Sequence, residues 1–342
     1  MKVIKKGVIL RKTLLIFENE GVLNPATIAS NGDYHMFYRA VSKGNFSTIS
    51  YCQLSHGLTP TNNLHIPLIF PQFPYESHGV EDPRIVKIDD LYYLTYTAYD
   101  GVNALGALAT SKDLKTFDKK GIITAQTSYD EFKHLATCKT PLNEKYERYN
   151  NRSQLVLPND KKILLWNKNV IFFPRRIDGQ LYFLHRIKPD IQIASVDDIE
   201  GLTKDFWDNY YLHFCDNIVL SPKFDHEVSY IGGGCPPIET SAGWLVIYHA
   251  VHDTTEGYVY AACAALLDLS NPRKEISRLP YPLFKPEEEW ELKGEVNNVC
   301  FPSGTLIIDD LLYIYYGAAD ECVACATVPM QDLLDELLKY RI

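Results

Sequence analysis

Five times along the chain a tight turn leads into an aromatic strand and then into a strand of small residues. The turns are Asn31–Gly32, Asp89–Asp90, Asp178–Gly179, Ala242–Gly243 and Asp309–Asp310. Each follows an apolar run and precedes "YHMFYRAV", "LYYLTYTAYD", "LYFLHRI", "WLVIYHAV" or "LYIYYGAAD". A third run comes next: "TISYCQLS", "ALGALATS", "DIQIASV", "YVYAACAALLDL" or "CVACATV". Short alternating runs cut by turn pairs read as strands, and a unit repeated five times reads as blades around an axis. The expectation is an all-β, five-bladed β-propeller spanning 1–342 as one domain, with a β-sandwich as the alternative. Small residues in the third strands suit close packing of sheet on sheet. Helical periodicity is clear only at 330–342, where Leu333, Leu334, Leu337 and Leu338 form an apolar stripe on a short C-terminal helix. The stretch 128–152 reads as a loop-and-turn insertion between blades.

With 46% hydrophobic and 23% charged residues, the chain belongs with globular proteins rather than disordered ones. A net charge of −9 without a basic block argues against nucleic acid and anionic membranes as partners. No apolar stretch reaches the roughly 20 residues of a membrane span. Lysines and Arg11 interrupt the N-terminal run, which therefore reads as a first strand rather than a leader. The expected compartment is the cytoplasm, or the periplasm or exterior if a leader has been removed. Of eight cysteines only Cys322 and Cys325 have CxxC spacing, inside a strand-like run, so buried free thiols are expected rather than a metal or redox site.

The aromatic strands end on Arg39, on Tyr99 and Asp100, on His185 and Arg186, on His249 and on Asp320. In a propeller such ends converge on a central funnel. The strand entries form a second set: "NPA", "EDPR", "NKNVIFFPRR", "GGGCPPIET" and "NVCFPSGT". Every one contains proline, which stiffens the loop. Gly232, Gly233 and Gly234 are expected to let backbone approach a ligand.

The motifs "VEDPRI", "FP-x-x-I-x-G-x-x-x-x-LHR", "GG-x-PPI-x-T-x-x-GWL-x-IYHAV" and "LYIYYGAAD", each in its own unit, resemble glycoside hydrolase family 130 from Asn24 to Thr327. That family contains β-mannosidases and β-mannoside phosphorylases on a five-bladed propeller. The resemblance implies inverting chemistry with Asp82 as proton donor, relayed through a sugar hydroxyl. Such an acid must be protonated near neutral pH, which calls for a raised pKa. Glu81, its neighbour in a strand-like segment, is expected to point away. Arg39 and Asp320 match positions that grip the mannose ring, with Arg84, Tyr99 and His249 as further pocket residues. Where phosphorylases carry a lysine, the PPI-x-T motif here holds Glu239. A carboxylate repels phosphate and suits a general base, so the sequence favours a hydrolase, a β-mannosidase acting on β-1,2-linked manno-oligosaccharides. Lys168 and Arg186 match the cationic cluster and keep the phosphorylase alternative open, with mannose 1-phosphate as product. Glu256 is a second candidate for base or binding, and a non-catalytic sugar-binding propeller is the remaining alternative. Neither reaction needs a metal or organic cofactor; inorganic phosphate enters only as co-substrate of a phosphorylase. A homo-oligomer stays open.

Overall fold

A computed structural model describes residues 1–152 and 162–342. The chain is built mainly of antiparallel strands, with five α-helices among the described residues. Its strands form five meanders in chain order. The first runs through Gly21–Ser30, Asp33–Ser42, Phe46–Ser55 and Thr59–Thr61. The second uses Gly79–Ile88, Leu91–Tyr99, Ala104–Ser111 and Asp118–Ile122, and one parallel bridge between Ser47 and Gly79 joins it to the first. Lys168–Phe172, Leu181–Arg186, Ile191–Val196 and Ile218–Leu220 make the third. In the fourth, Tyr230–Gly233 and Ile238–Thr240 both pair with Gly243–Thr254, followed by Gly257–Leu267 and Glu275–Arg278. Cys300–Ile308, Leu311–Ala318 and Cys322–Pro329 make the fifth, whose outer strand is the distant Ile4–Arg11, antiparallel to Cys322–Pro329. The expected turns appear as left-handed residues, among them Asn31, Asp89, Asp178 and Asp309, the conformation that tight hairpins require and that Asn and Asp tolerate.

Five apolar clusters fill the gaps between consecutive meanders. Phe37 and Ile49 meet Val80 and Tyr96; Leu108 meets Val170; Leu184 meets Ile231 and Val246; Leu245 and Ala264 meet Ile314 and Ala324. A fifth cluster joins Val22, Met36 and Cys52 of the first meander to Leu306, Tyr315 and Val323 of the last, so the cycle of contacts closes on itself. The small residues of the third strands make this closeness possible. A Cβ on Gly106 would lie 2.3 Å from a Val170 methyl of the next meander.

A further repeat went unread in the sequence. Glu18, Glu76, Glu227 and Glu291, each in the loop ahead of a first strand, are buried. Their carboxylates accept hydrogen bonds from Tyr38, Tyr96, Tyr248 and Tyr316 of the aromatic strands. Lys119, Arg278 and Lys5 neutralise the last three of these acids. Each latch ties an incoming segment to the middle of its sheet; three have the charge paired as well as hydrogen-bonded, and Glu18 is held by hydrogen bonds from Tyr38 and Thr13.

The stretch 128–152 is not only loop. It carries the helices Tyr129–Ala136 and Glu144–Asn150, and the third meander adds Lys204–Leu212. Ser128 and Glu131 form a reciprocal capping box, and Phe132, Tyr146, Tyr211 and Phe214 stack edge-on between these helices. The C-terminal helix Met330–Leu338 buries Leu333, Leu334 and Leu337, while Leu338 is 39% exposed. All eight thiols are free, Cys322 and Cys325 being buried in their strand. No helix among the described residues is long and apolar enough to cross a membrane.

Candidate active site

The site starts from a backbone irregularity. Near the entry of the first strand in three meanders the pairing slips, between Leu23 and Ala26, Glu81 and Arg84, and Lys168 and Ile171. Within each slip one residue is left-handed: Asn24 at φ 48°, Asp82 at φ 51° and Asn169 at φ 56°. Only glycine, Asn and Asp enter this region at small cost, so "NP", "DP" and "KN" are bulge signals. The bulge breaks strict alternation, and the expectation that Glu81 points away from Asp82 fails for that reason. Arg39 bridges both, at 3.0 Å from Glu81 Oε1 and 3.5 Å from Asp82 Oδ1. The Asn24 side chain donates a 2.7 Å hydrogen bond to the same Asp82 oxygen.

Two connected chambers open over these groups, sharing Arg39, Trp166, Lys168, Val296 and Asp320. The outer one, about 580 Å³, is lined by Tyr99, Asn45, Glu295 and Glu81 among others. The inner one, about 240 Å³, is lined by Asp82, Asn24, Asn169, Arg186, Lys188 and Tyr230 among others. Among the described residues no carboxylate lies within ion-pair distance of Lys168, Arg186 or Lys188. Three basic side chains thus face a small chamber with only the more distant field of Asp82 and Asp320 against them.

That balance sets the protonation states. Burial pushes the Asp82 carboxyl up, but Arg39, Lys168, Arg84 and the Asn24 hydrogen bond outweigh it and hold it below its ordinary range. The expectation of a raised pKa for Asp82 is therefore corrected for the empty site, because the surrounding cations favour the carboxylate. Asp320 is the acid that rises, to about 6, through burial and through Asp82, with Arg39 opposing. Burial lowers Lys168 and Arg186 despite Asp82. His249 is held far below its usual value by burial and then by Arg186, Arg84, Lys188 and Lys168. It is accordingly neutral, and its Nε2 accepts a 3.0 Å hydrogen bond from Arg186 Nη1.

Other residues singled out from the sequence stand elsewhere. Glu239 is not part of either chamber. Its carboxylate is 45% exposed and held at both oxygens by Arg175, at 2.6 and 2.7 Å, on a short strand paired to Gly243–Thr254. Glu256 sits exposed in the hairpin turn after Thr254. Arg84 lies behind Asp82, bonded to the carbonyls of Gly234, Asp82 and Pro83 rather than lining the cavity. His249 packs on Phe301 behind Arg186. His185 is buried between Asn167 and Tyr210, and Asp100 caps the turn at Val102 and Asn103. Nor do the three glycines open backbone to a ligand. A Cβ on Gly232 would strike His249 and Arg186, one on Gly233 would strike Ile171, and one on Gly234 would strike the Ile247 carbonyl. The sequence reading missed Trp166, Lys188, Asn169 and Tyr230. Lys188 follows the LHR motif by two residues, the one local signal for it.

A bulged acid beside arginines, further buried carboxylates and aromatic walls define a polar small-molecule cavity. The chain belongs to glycoside hydrolase family 130, whose family model, described as beta-1,4-mannooligosaccharide phosphorylase, matches residues 16–339. A 1,2-beta-oligomannan phosphorylase of Thermoanaerobacter sp. (strain X514) is 33% identical over 341 residues, covering 96% of each chain. Among solved structures, a beta-1,2-mannobiose phosphorylase from Listeria innocua, in complex with beta-1,2-mannobiose, superposes with a TM-score of 0.75. It is 23% identical, with 99% of this chain and 100% of that one covered. A structure described with family glycoside hydrolases that target beta-1,2 mannosidic linkages in Candida mannan gives a TM-score of 0.74 at 22% identity, covering 96% and 95%. The fold is shared with both.

Proposed function

We propose that the protein is an inverting β-mannoside phosphorylase that cleaves β-1,2-linked manno-oligosaccharides with inorganic phosphate. The hydrolase favoured in the sequence rested on Glu239, and that carboxylate is outside the cavity. The observation that carries the new reading is the inner chamber, where Lys168, Arg186 and Lys188 have no carboxylate within ion-pair distance among the described residues. At an effective dielectric of about 20, each cation within ~5 Å of a single negative charge contributes about 3 kcal/mol of attraction. Relatives named as phosphorylases of β-1,2-mannosides support the substrate class. The five meanders serve as blades of one propeller domain, a reading supported by the closed cycle of apolar clusters.

Mannose occupies the region shared by the chambers, with Arg39 donating to ring hydroxyls and Asp320 accepting from them. A phosphate oxygen attacks C1 from the inner chamber. The C1–O bond to the leaving sugar breaks, a C1–O–P bond forms, and the leaving oxygen takes a proton that Asp82 supplies through a sugar hydroxyl. Phosphate also resolves the protonation of Asp82. Its negative charges cancel the cations that hold this carboxyl ionised, and burial then favours the protonated acid. No organic cofactor enters the reaction. The test is incubation of mannobioses with and without phosphate. Mannose 1-phosphate formed only with phosphate is the expected result; free mannose released equally fast without phosphate would refute the reading.

A further inference from the structure

Lys188 stands just beyond the strand Leu181–Arg186 and lines the inner chamber. Its Nζ lies 3.7 Å from the centroid of the Tyr230 ring and 5.8 Å from that of Tyr149. Arg186 covers the same Tyr230 ring at 5.5 Å, and the Tyr230 hydroxyl is fixed at 2.6 Å from that of Tyr260. The charged and titratable groups around Lys188 are Arg186 from the strand it follows, Lys168 from the neighbouring strand and neutral His249 behind Arg186. Tyr149, Tyr230 and Tyr260 complete the surroundings, with Arg148 stacked on Tyr149. Asp190, two residues on, is engaged by the Tyr146 hydroxyl. Lys188 therefore rests on an aromatic face with no anion within ion-pair distance among the described residues, on a four-carbon stem that can swing.

We propose that Lys188 is a further ligand for the anion of the inner chamber, resting on Tyr230 while the chamber is empty and moving onto the anion when one enters. The proposal rests on the phosphorylase reading. It has a second consequence, because burial beside Arg186 and Lys168 pushes the Lys188 ammonium down to about 6. At neutral pH the side chain is then mostly uncharged in the empty site. A phosphate restores the charge by raising the pKa, so anion binding takes up a proton at Lys188. The sign follows: affinity for phosphate is greatest below pH 6 and falls as pH rises above it, by up to tenfold per pH unit, until the pKa of the occupied site is passed.

The test is calorimetric titration of the full chain with inorganic phosphate at pH 7.5, in two buffers of different ionisation enthalpy. Wild type is compared with Lys188→Arg, which is always charged, and Lys188→Met, which never is. The protonation of phosphate itself is common to all three and cancels in the differences. Wild type is expected to take up close to one proton more per phosphate than Lys188→Arg. Lys188→Met is expected to bind at least tenfold more weakly, and Lys188→Arg to bind at least as tightly as wild type, with a flatter pH dependence. Equal proton uptake in wild type and Lys188→Arg, or unchanged affinity in Lys188→Met, overturns this proposal and leaves the phosphorylase reading standing. Absence of phosphate binding by the wild type, with mannobiose still cleaved, overturns both.

Discussion

Asp82 carries two demands that different substitutions separate. Asn keeps a side chain that tolerates φ 51° and an oxygen for the Asn24 hydrogen bond, but it has no proton to give. Loss of a general acid slows the chemical step by about 10²–10⁴-fold, or about 3–5 kcal/mol of barrier. Asp82→Ala loses the proton donor as well. It also forces a Cβ residue without a local hydrogen bond into the left-handed region, at about 1–2 kcal/mol, and orphans the Asn24 amide, at about 1 kcal/mol or more. Asp82→Ala should therefore be about 2–3 kcal/mol less stable than Asp82→Asn, while both lose activity alike. Mannose 1-phosphate release reads the first effect and urea unfolding the second. A mannoside whose leaving group is an acidic phenol needs no proton, so Asp82→Asn should lose less than tenfold on it. Retained activity of Asp82→Asn on mannobiose would refute the assignment of the acid; equal stability of the two variants would refute the account of the bulge.

Three further outcomes are expected. Glu239→Gln removes only an exposed ion pair with Arg175, so kcat should stay within twofold and stability within about 1 kcal/mol; a hundredfold loss of kcat would restore Glu239 to the chemistry. Asp320, at about 6 when folded against an ordinary 3.8, makes the protein lose stability as pH rises through that interval. Asp320→Asn abolishes that loss, and its stability relative to wild type should improve by about 2 kcal/mol between pH 4 and pH 7 in denaturant titrations, whereas a constant difference would exclude the raised pKa. Glu227→Ala leaves the buried Arg278 with Glu275 alone and strands the Tyr248 hydroxyl, so unfolding free energy should drop by about 3–5 kcal/mol; a drop under 1 kcal/mol would mean the latch is not structural.

The strands were legible because alternation, turn chemistry and the small third strands all agree at each of the five units. Asp82, Arg39, Lys168, Arg186 and Asp320 were legible as motif positions, and the structure brings them to one cavity. Glu239 shows the limit of such a reading: a motif position does not say which face of its strand a side chain takes, and here the face belongs to Arg175. Glu81 shows the same limit from the other side, since a left-handed Asp82 cancels the period of two. Lys188 and the buried glutamates were invisible because their meaning is pairwise. A lysine after "LHRI" or a glutamate before a first strand reads as surface until the partner tyrosine is known.

The strand Ile4–Arg11 has a consequence in time. Its partner strand is separated from it by most of the chain, with Thr327 bonding back across 323 residues to Ile4. At roughly 5–20 residues per second, a ribosome needs about 16–65 s to deliver that partner. Throughout this interval the strand's edge is open to any other chain in an extended state. Lys5, Lys6 and Arg11 punctuate it, and charged residues of this kind discourage edge-to-edge pairing. The basic residues that break the N-terminal apolar run thus protect a newborn chain until its last meander arrives to claim the first strand.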